Sequence, residues 1–141
     1  MSDYVNLMKL CVGAEAPSDL EAWQAARFGP KAPARHVTRM WPRRASEVLA
    51  GGSIYWVFKG SMLARQRILR MDEQIGQDGI TRCALVLDRE LVRVAAVPRR
   101  PFQGWRYLRA EDAPPDLPPG RDMDDELPGP LALQLAEMGL R

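Results

Sequence analysis

A chain of 141 residues with 46% hydrophobic and 27% charged side chains is sized and composed for one folded domain with its own core. No apolar run approaches the roughly 20 residues that span a bilayer, and the start, MSDYVNLMKLCV, lacks the basic head and small-residue cleavage site of a secretory leader. The expected compartment is the cytoplasm, with no membrane partner. The net charge of +2 conceals segregation: residues 27–109 hold 17 Lys and Arg against six Asp and Glu, whereas 110–126 hold seven acids and one base.

In chain order, Val5, Leu7 and the run 9–12 read as a first strand. Ser18 and Glu21 fit a capping box for a helix over 19–28, with Leu20, Trp23 and Arg27 on one face and Trp23 as its anchor. Gly29 and Pro30 end it. Residues 34–41 alternate and predict a second strand, and Pro42 suits the start of a short helix over 43–50. Gly51 and Gly52 supply its exit. The aromatic run Ile54, Tyr55, Trp56, Val57 and Phe58 then forms a strand, turns through Lys59, Gly60 and Ser61, and pairs with a strand over 63–70. This pair is expected at the centre of the sheet. Residues 72–79 read as a polar hairpin connection with a turn at Asp78 and Gly79. Strands follow over 81–88, 91–97 and 102–108, with an extended basic loop at 98–101.

The texture changes at Ala110. Pro114, Pro115, Pro118 and Pro119 stand among acids, a composition that favours extended chain. Residues 129–141 then read as an amphipathic helix with Leu131, Leu135 and Met138 on one face. The expected organisation is a domain over 1–109, an acidic Pro-rich linker over 110–128 and a C-terminal helix over 129–141. The expected class is α+β: a small, mostly antiparallel sheet or barrel flanked by two or three helices.

Two resemblances rest on these stretches. KLCVG at 9–13, HVTRMWPRR at 36–44, GGSIYWVFKG at 51–60, ARQRI at 64–68, RCALVLD at 82–88 and RRPFQGWRYL at 99–108 are similar to an uncharacterised bacterial family of about this length. The glycine pair, strand, glycine turn and following strand at 51–68 also resemble the core of the PUA-like superfamily (PUA, ASCH and EVE domains). In that superfamily an acid commonly follows the glycine, whereas Ser53 stands here. The second resemblance implies a small β-barrel with flanking helices that binds RNA or modified bases.

The residues themselves point the same way. Arg39, Arg43, Arg44, Lys59, Arg65, Arg67, Arg99, Arg100 and Arg106 lie among aromatics, Trp105 included. Arginine forks match phosphate oxygens and flat rings stack bases. On one strand, Arg65 and Arg67 point to the same face. The expectation is non-catalytic binding of RNA or a modified nucleotide by one basic, aromatic-bearing face. Two alternatives stand beside it. One is a protein-interaction module acting through the acidic segment and the face of Leu131, Leu135 and Met138. The other is a small hydrolase or nucleotide-processing enzyme using His36, the sole histidine and a possible anion site. Cys11 and Cys83 lack paired spacing and read as free buried thiols, so neither a zinc site nor any cofactor is expected.

Overall fold

The computed structural model of the chain describes residues 4–118. Seven strands form one mixed sheet: β1 (Val5–Leu10), β2 (Ala34–Thr38), β3 (Ser53–Phe58), β4 (Ser61–Ile75), β5 (Thr81–Leu87), β6 (Val92–Pro98) and β7 (Trp105–Arg109). Their order is β2-β5-β4-β3-β1-β7, with β6 also paired to β4. Two α-helices, α1 (Pro17–Phe28) and the short α2 (Ala45–Leu49), lie between β1 and β3 in the chain. Strand makes up 45% and helix 17% of the structure, which corrects the expected α+β class with two or three flanking helices: the fold is dominated by its sheet. The expected helix over 129–141, with Leu131, Leu135 and Met138, lies outside the described residues.

All six residues of β3 are buried. Ile54, Trp56 and Phe58 enter one core cluster and Tyr55 and Val57 a second, on the other face. A strand packed on both faces needs a continuous apolar run, and 54–58 is that run. On one side β3 pairs antiparallel with β4, and on the other it pairs parallel with β1. A parallel pair requires a crossover, here supplied by residues 11–52 with α1, β2 and α2. Gly52 makes the close approach at the end of that crossover possible. A Cβ there would lie 2.2 Å from the Val5 carbonyl oxygen and 2.7 Å from that of Val48.

β4 runs for 15 residues. Its first half pairs with β3 and β6, and its second half with β5. Residues 72–75, expected as part of a connection, therefore continue the strand, and the turn begins only at Gly76. Register shifts between Met62 and Ala64 and between Ile68 and Arg70 mark bulges that bend it from one set of partners to the other.

Helix α1 starts two residues earlier than its sequence suggests. Pro17 takes the first position, and the Asp19 carboxylate accepts the amides of Glu15 and Ala16 at 3.0 and 3.2 Å, doing the work expected of Ser18 and Glu21. The inward residues are Leu20 and Gln24, while Trp23 is 52% exposed, which corrects its expected role as anchor. Gln24 and Gln66 instead exchange two hydrogen bonds of 2.8 and 3.0 Å. Gln66 also accepts the Trp56 indole N–H at 3.0 Å and donates to the Asp88 carbonyl at 3.0 Å. This satisfied polar cluster seats α1 on the sheet.

After β7 a 3-10 turn (Ala110–Asp112) redirects the chain along β6. The Ala95 amide donates to the Pro115 carbonyl and the Leu117 amide to the Arg93 carbonyl, both at 2.9 Å. Proline cannot donate to a ladder, and here Pro115 only accepts. The opening residues of the acidic segment are thus bonded to the domain.

Candidate functional site

Side chains alternate across a strand, so Asn6 of β1, Ser53 and Tyr55 of β3, and Arg65 and Arg67 of β4 stand on one face. Ser53 lies opposite Arg67 and Tyr55 opposite Arg65 in the register. With Tyr4 and the returning segment 113–116 they enclose a recess of about 350 Å³. It opens beside the second core cluster and falls within the roughly 300–1,000 Å³ of small-ligand sites.

The electrostatics of the recess are asymmetric. Arg65 donates from Nε and Nη2 to the two Asp116 oxygens at 2.8 and 2.7 Å, and from Nη1 to Ser53 Oγ at 3.0 Å. That bidentate pair holds the Asp116 carboxyl below its ordinary range and the guanidinium above its own. Arg67 is exposed on the same face, and among the described residues no carboxylate pairs with it. Asn6 is 2% exposed; its Oδ1 accepts the Ser53 amide at 2.9 Å, while its Nδ2 is buried without a partner among the described residues. Burial pushes the Tyr55 hydroxyl up, so it stays a protonated donor. The Tyr4 ring rests on Gly51. Among the described residues, the recess therefore offers one cation without a carboxylate partner, one shielded cation, amide and hydroxyl donors and an aromatic ring.

The other expected site residues do not join it. Arg44 pairs with Glu47 at 2.6 Å and stacks over Tyr107 at 5.3 Å, with Arg43 exposed beside it and Arg39 exposed past the end of β2. Lys59 sits in the β3–β4 turn, 3.2 Å from Glu15. Arg99, whose amide donates to Gly60, and exposed Arg100 lie near that turn, at the opposite end of β3 from the recess. Arg106 lies over Phe102 at 5.7 Å. Trp105 is 6% exposed, donates its indole N–H to the Met40 carbonyl at 3.0 Å and meets Tyr107 edge-on, so it has no free face for a base. These cations therefore lie apart: Arg65 and Arg67 at the recess, Lys59, Arg99 and Arg100 by the β3–β4 turn, Arg39, Arg43 and Arg44 between β2 and α2, and Arg106 on β7, with Lys59 and Arg44 paired locally to Glu15 and Glu47.

His36 stands edge-on to Trp56 at 5.6 Å. Burial, with Lys9 nearby, pushes its pKa down to about 4, so it is neutral near pH 7 and brings no charge to an anion. Burial pushes the neighbouring Cys11 thiol up to about 11. These directions are the reverse of a thiolate–imidazolium couple. Among the described residues no three His, Cys, Asp or Glu are grouped to hold a metal ion, and no helix is long and apolar enough to cross a membrane.

Sequence reasoning missed Tyr4, Asn6, Ser53, Tyr55 and Asp116 as members of the recess. The alternation of Ser53 and Tyr55 opposite Arg65 and Arg67 was the available signal. For Asp116 the signal was the acidic stretch 110–126 following the basic body, which suggests that the segment can fold over that body but not which acid meets which arginine 51 positions away.

The family model described as "Protein of unknown function (DUF1489)" matches residues 7–141. The chain belongs to that family. Neither a curated protein nor a solved structure matches this DUF1489 chain. The match takes in β1 from Leu7 onward and every other described strand, and so all recess residues except Tyr4 and Asn6.

Proposed function

We propose that this chain binds a nucleotide, free or as one unit of an RNA strand, in the recess of Arg65 and Arg67, without covalent chemistry. The observation that carries the reading is Arg67: a cation without a counter-charge among the described residues, at the edge of a polar recess lined by Asn6, Ser53 and Tyr55. A guanidinium fork takes a phosphate bidentately. The half-open Tyr4 ring offers a stacking surface for a base, and the Asn6 amide and Tyr55 hydroxyl are donors for ring or ribose oxygens. The resemblance of 51–68 to PUA-like domains, many of which bind RNA or modified bases, supports the same ligand class, and the cytoplasm is where the reading places the protein.

The test is equilibrium binding of a short single-stranded RNA to the full chain at several salt concentrations. Affinity falls as salt rises, and Arg67→Ala weakens binding by roughly 10- to 100-fold, the worth of a charge-assisted bond. Arg106→Ala, outside the recess, leaves affinity near the parent's. Salt-independent binding, or equal affinity for the Arg67→Ala protein, contradicts the reading.

A further inference from the structure

The opposite face of β3 carries a second cavity. Trp56 projects there because it alternates with Tyr55. The end of β1, the first turns of α1 and the middle of β2 complete a hollow of about 260 Å³, whose walls include Lys9, Cys11, Leu20, Trp23, His36 and Trp56.

Three features of these walls are unexplained by the fold. His36 Nε2 is buried and has no hydrogen-bond partner among the described residues. A buried orphan of this kind is destabilising unless something supplies its bond. Lys9 is half-buried, and among the described residues no carboxylate pairs with it. The acid in the same hollow, Asp19, is engaged by the amides of Glu15 and Ala16. Trp23, the largest side chain of α1, meets Arg27 at 5.5 Å and Phe28 at 5.9 Å on its own helix, yet stays half exposed at the cavity while the helix docks through Gln24 instead. A single water would satisfy Nε2, but it would neither balance Lys9 nor cover indole.

We infer that this cavity is a binding site for a small flat aromatic molecule bearing one anionic group. Its ring lies among Trp23, Trp56 and the His36 imidazole, one polar ring atom bonds His36 Nε2, and the anion meets the Lys9 ammonium. An uncharged imidazole suits that role, because its nitrogen accepts or donates without attracting a second anion. The site is separate from the recess of Arg65 and Arg67, which lies across the sheet, and does not depend on the nucleotide reading.

Indole-3-carboxylate is the probe, with the neutral indole-3-carboxamide as its control. Each is titrated into the full-length protein, observing the indole N–H signals of Trp23 and Trp56 and the imidazole signals of His36 by NMR. The carboxylate moves these signals saturably, and the carboxamide binds about tenfold more weakly, the value of one charge-assisted contact. Lys9→Met and Trp23→Ala, both at positions with solvent access, each lose about tenfold for the carboxylate, while Arg67→Ala loses nothing. Movement that never saturates up to the probe's solubility limit overturns the inference. So does equal binding of the two probes, or full affinity in the Lys9→Met protein.

Discussion

Asp116 reaches back over β3 and β4 to hold Arg65 through two parallel bonds of 2.8 and 2.7 Å. The acid sits in the roof of the recess and occupies the arginine that a phosphate would otherwise share with Arg67. Asp116→Asn is therefore expected to raise affinity for single-stranded RNA several-fold and to steepen its salt dependence by about one counterion. Asp116 is 45% exposed on its side chain, so the stability cost stays within about 1 kcal/mol. Binding isotherms of the two proteins at matched salt check this; identical curves would mean that Asp116 does not compete.

Gln66 is fully buried and makes four hydrogen bonds with one amide, two to Gln24 and one each to Trp56 and Asp88. Gln66→Leu keeps the volume but strands the Trp56 N–H and the Gln24 Nε2 donor, while Arg89 still donates to Gln24 Oε1. The expected loss is about 2–4 kcal/mol, read from urea midpoints. Gln24→Leu combined with Gln66→Leu should cost less than the two single changes added, since the partners act as one unit.

Gly52 faces two carbonyl oxygens rather than side chains, and neither can rotate away. Gly52→Ala should cost more than about 2 kcal/mol or prevent folding, because the backbone itself must shift. An alanine protein with parental stability would show that the approach of Val5 and Val48 is looser than 2.2 and 2.7 Å.

His36 gives a pH signature with a definite sign. Its folded pKa of about 4 lies below the ordinary 6.5, so between those values the unfolded chain binds a proton that the folded one does not. Its contribution is fully present above pH 6.5 and is lost as pH falls toward 4. Comparing denaturation at pH 7 and pH 5, the parent should lose about 1–2 kcal/mol more than His36→Phe. Equal losses would place a charged imidazole in the folded state.

Local chemistry made parts of this fold readable. The run 54–58 announces a strand buried on both sides, and the turn after it is held by Lys59 at φ 45° and Gly60 at φ 86°. The short apolar run around Leu85 identifies β5. What periodicity could not carry were features whose cause lies elsewhere in the chain. The parallel pairing of β1 with β3 is set by the crossover, not by either strand. The second half of β4 looks like a loop because Arg70, Asp72, Glu73 and Gln74 are polar, yet β5 supplies its ladder, and Asp72 engages Arg70 and Arg35. Trp23 and Gln24 exchange their expected places because Gln24 finds a buried partner in Gln66, a compensation invisible to hydrophobic pattern. In the recess, the alternation rule located Arg65 and Arg67 together. The wider set of cations does not lie together, since shared charge does not imply shared location: Lys59 and Arg44 are matched by Glu15 and Glu47 nearby.

The central claim is that Arg67 receives a nucleotide phosphate in the recess. Its guanidinium Nε–H signal, followed by NMR as a short single-stranded RNA is added, tests this most directly. The account predicts saturable movement of the Arg67 signal and of the Asn6 side-chain amide, with Arg39, Arg43 and Arg106 unmoved. Movement confined to those outer arginines, or none at Arg67, would contradict it.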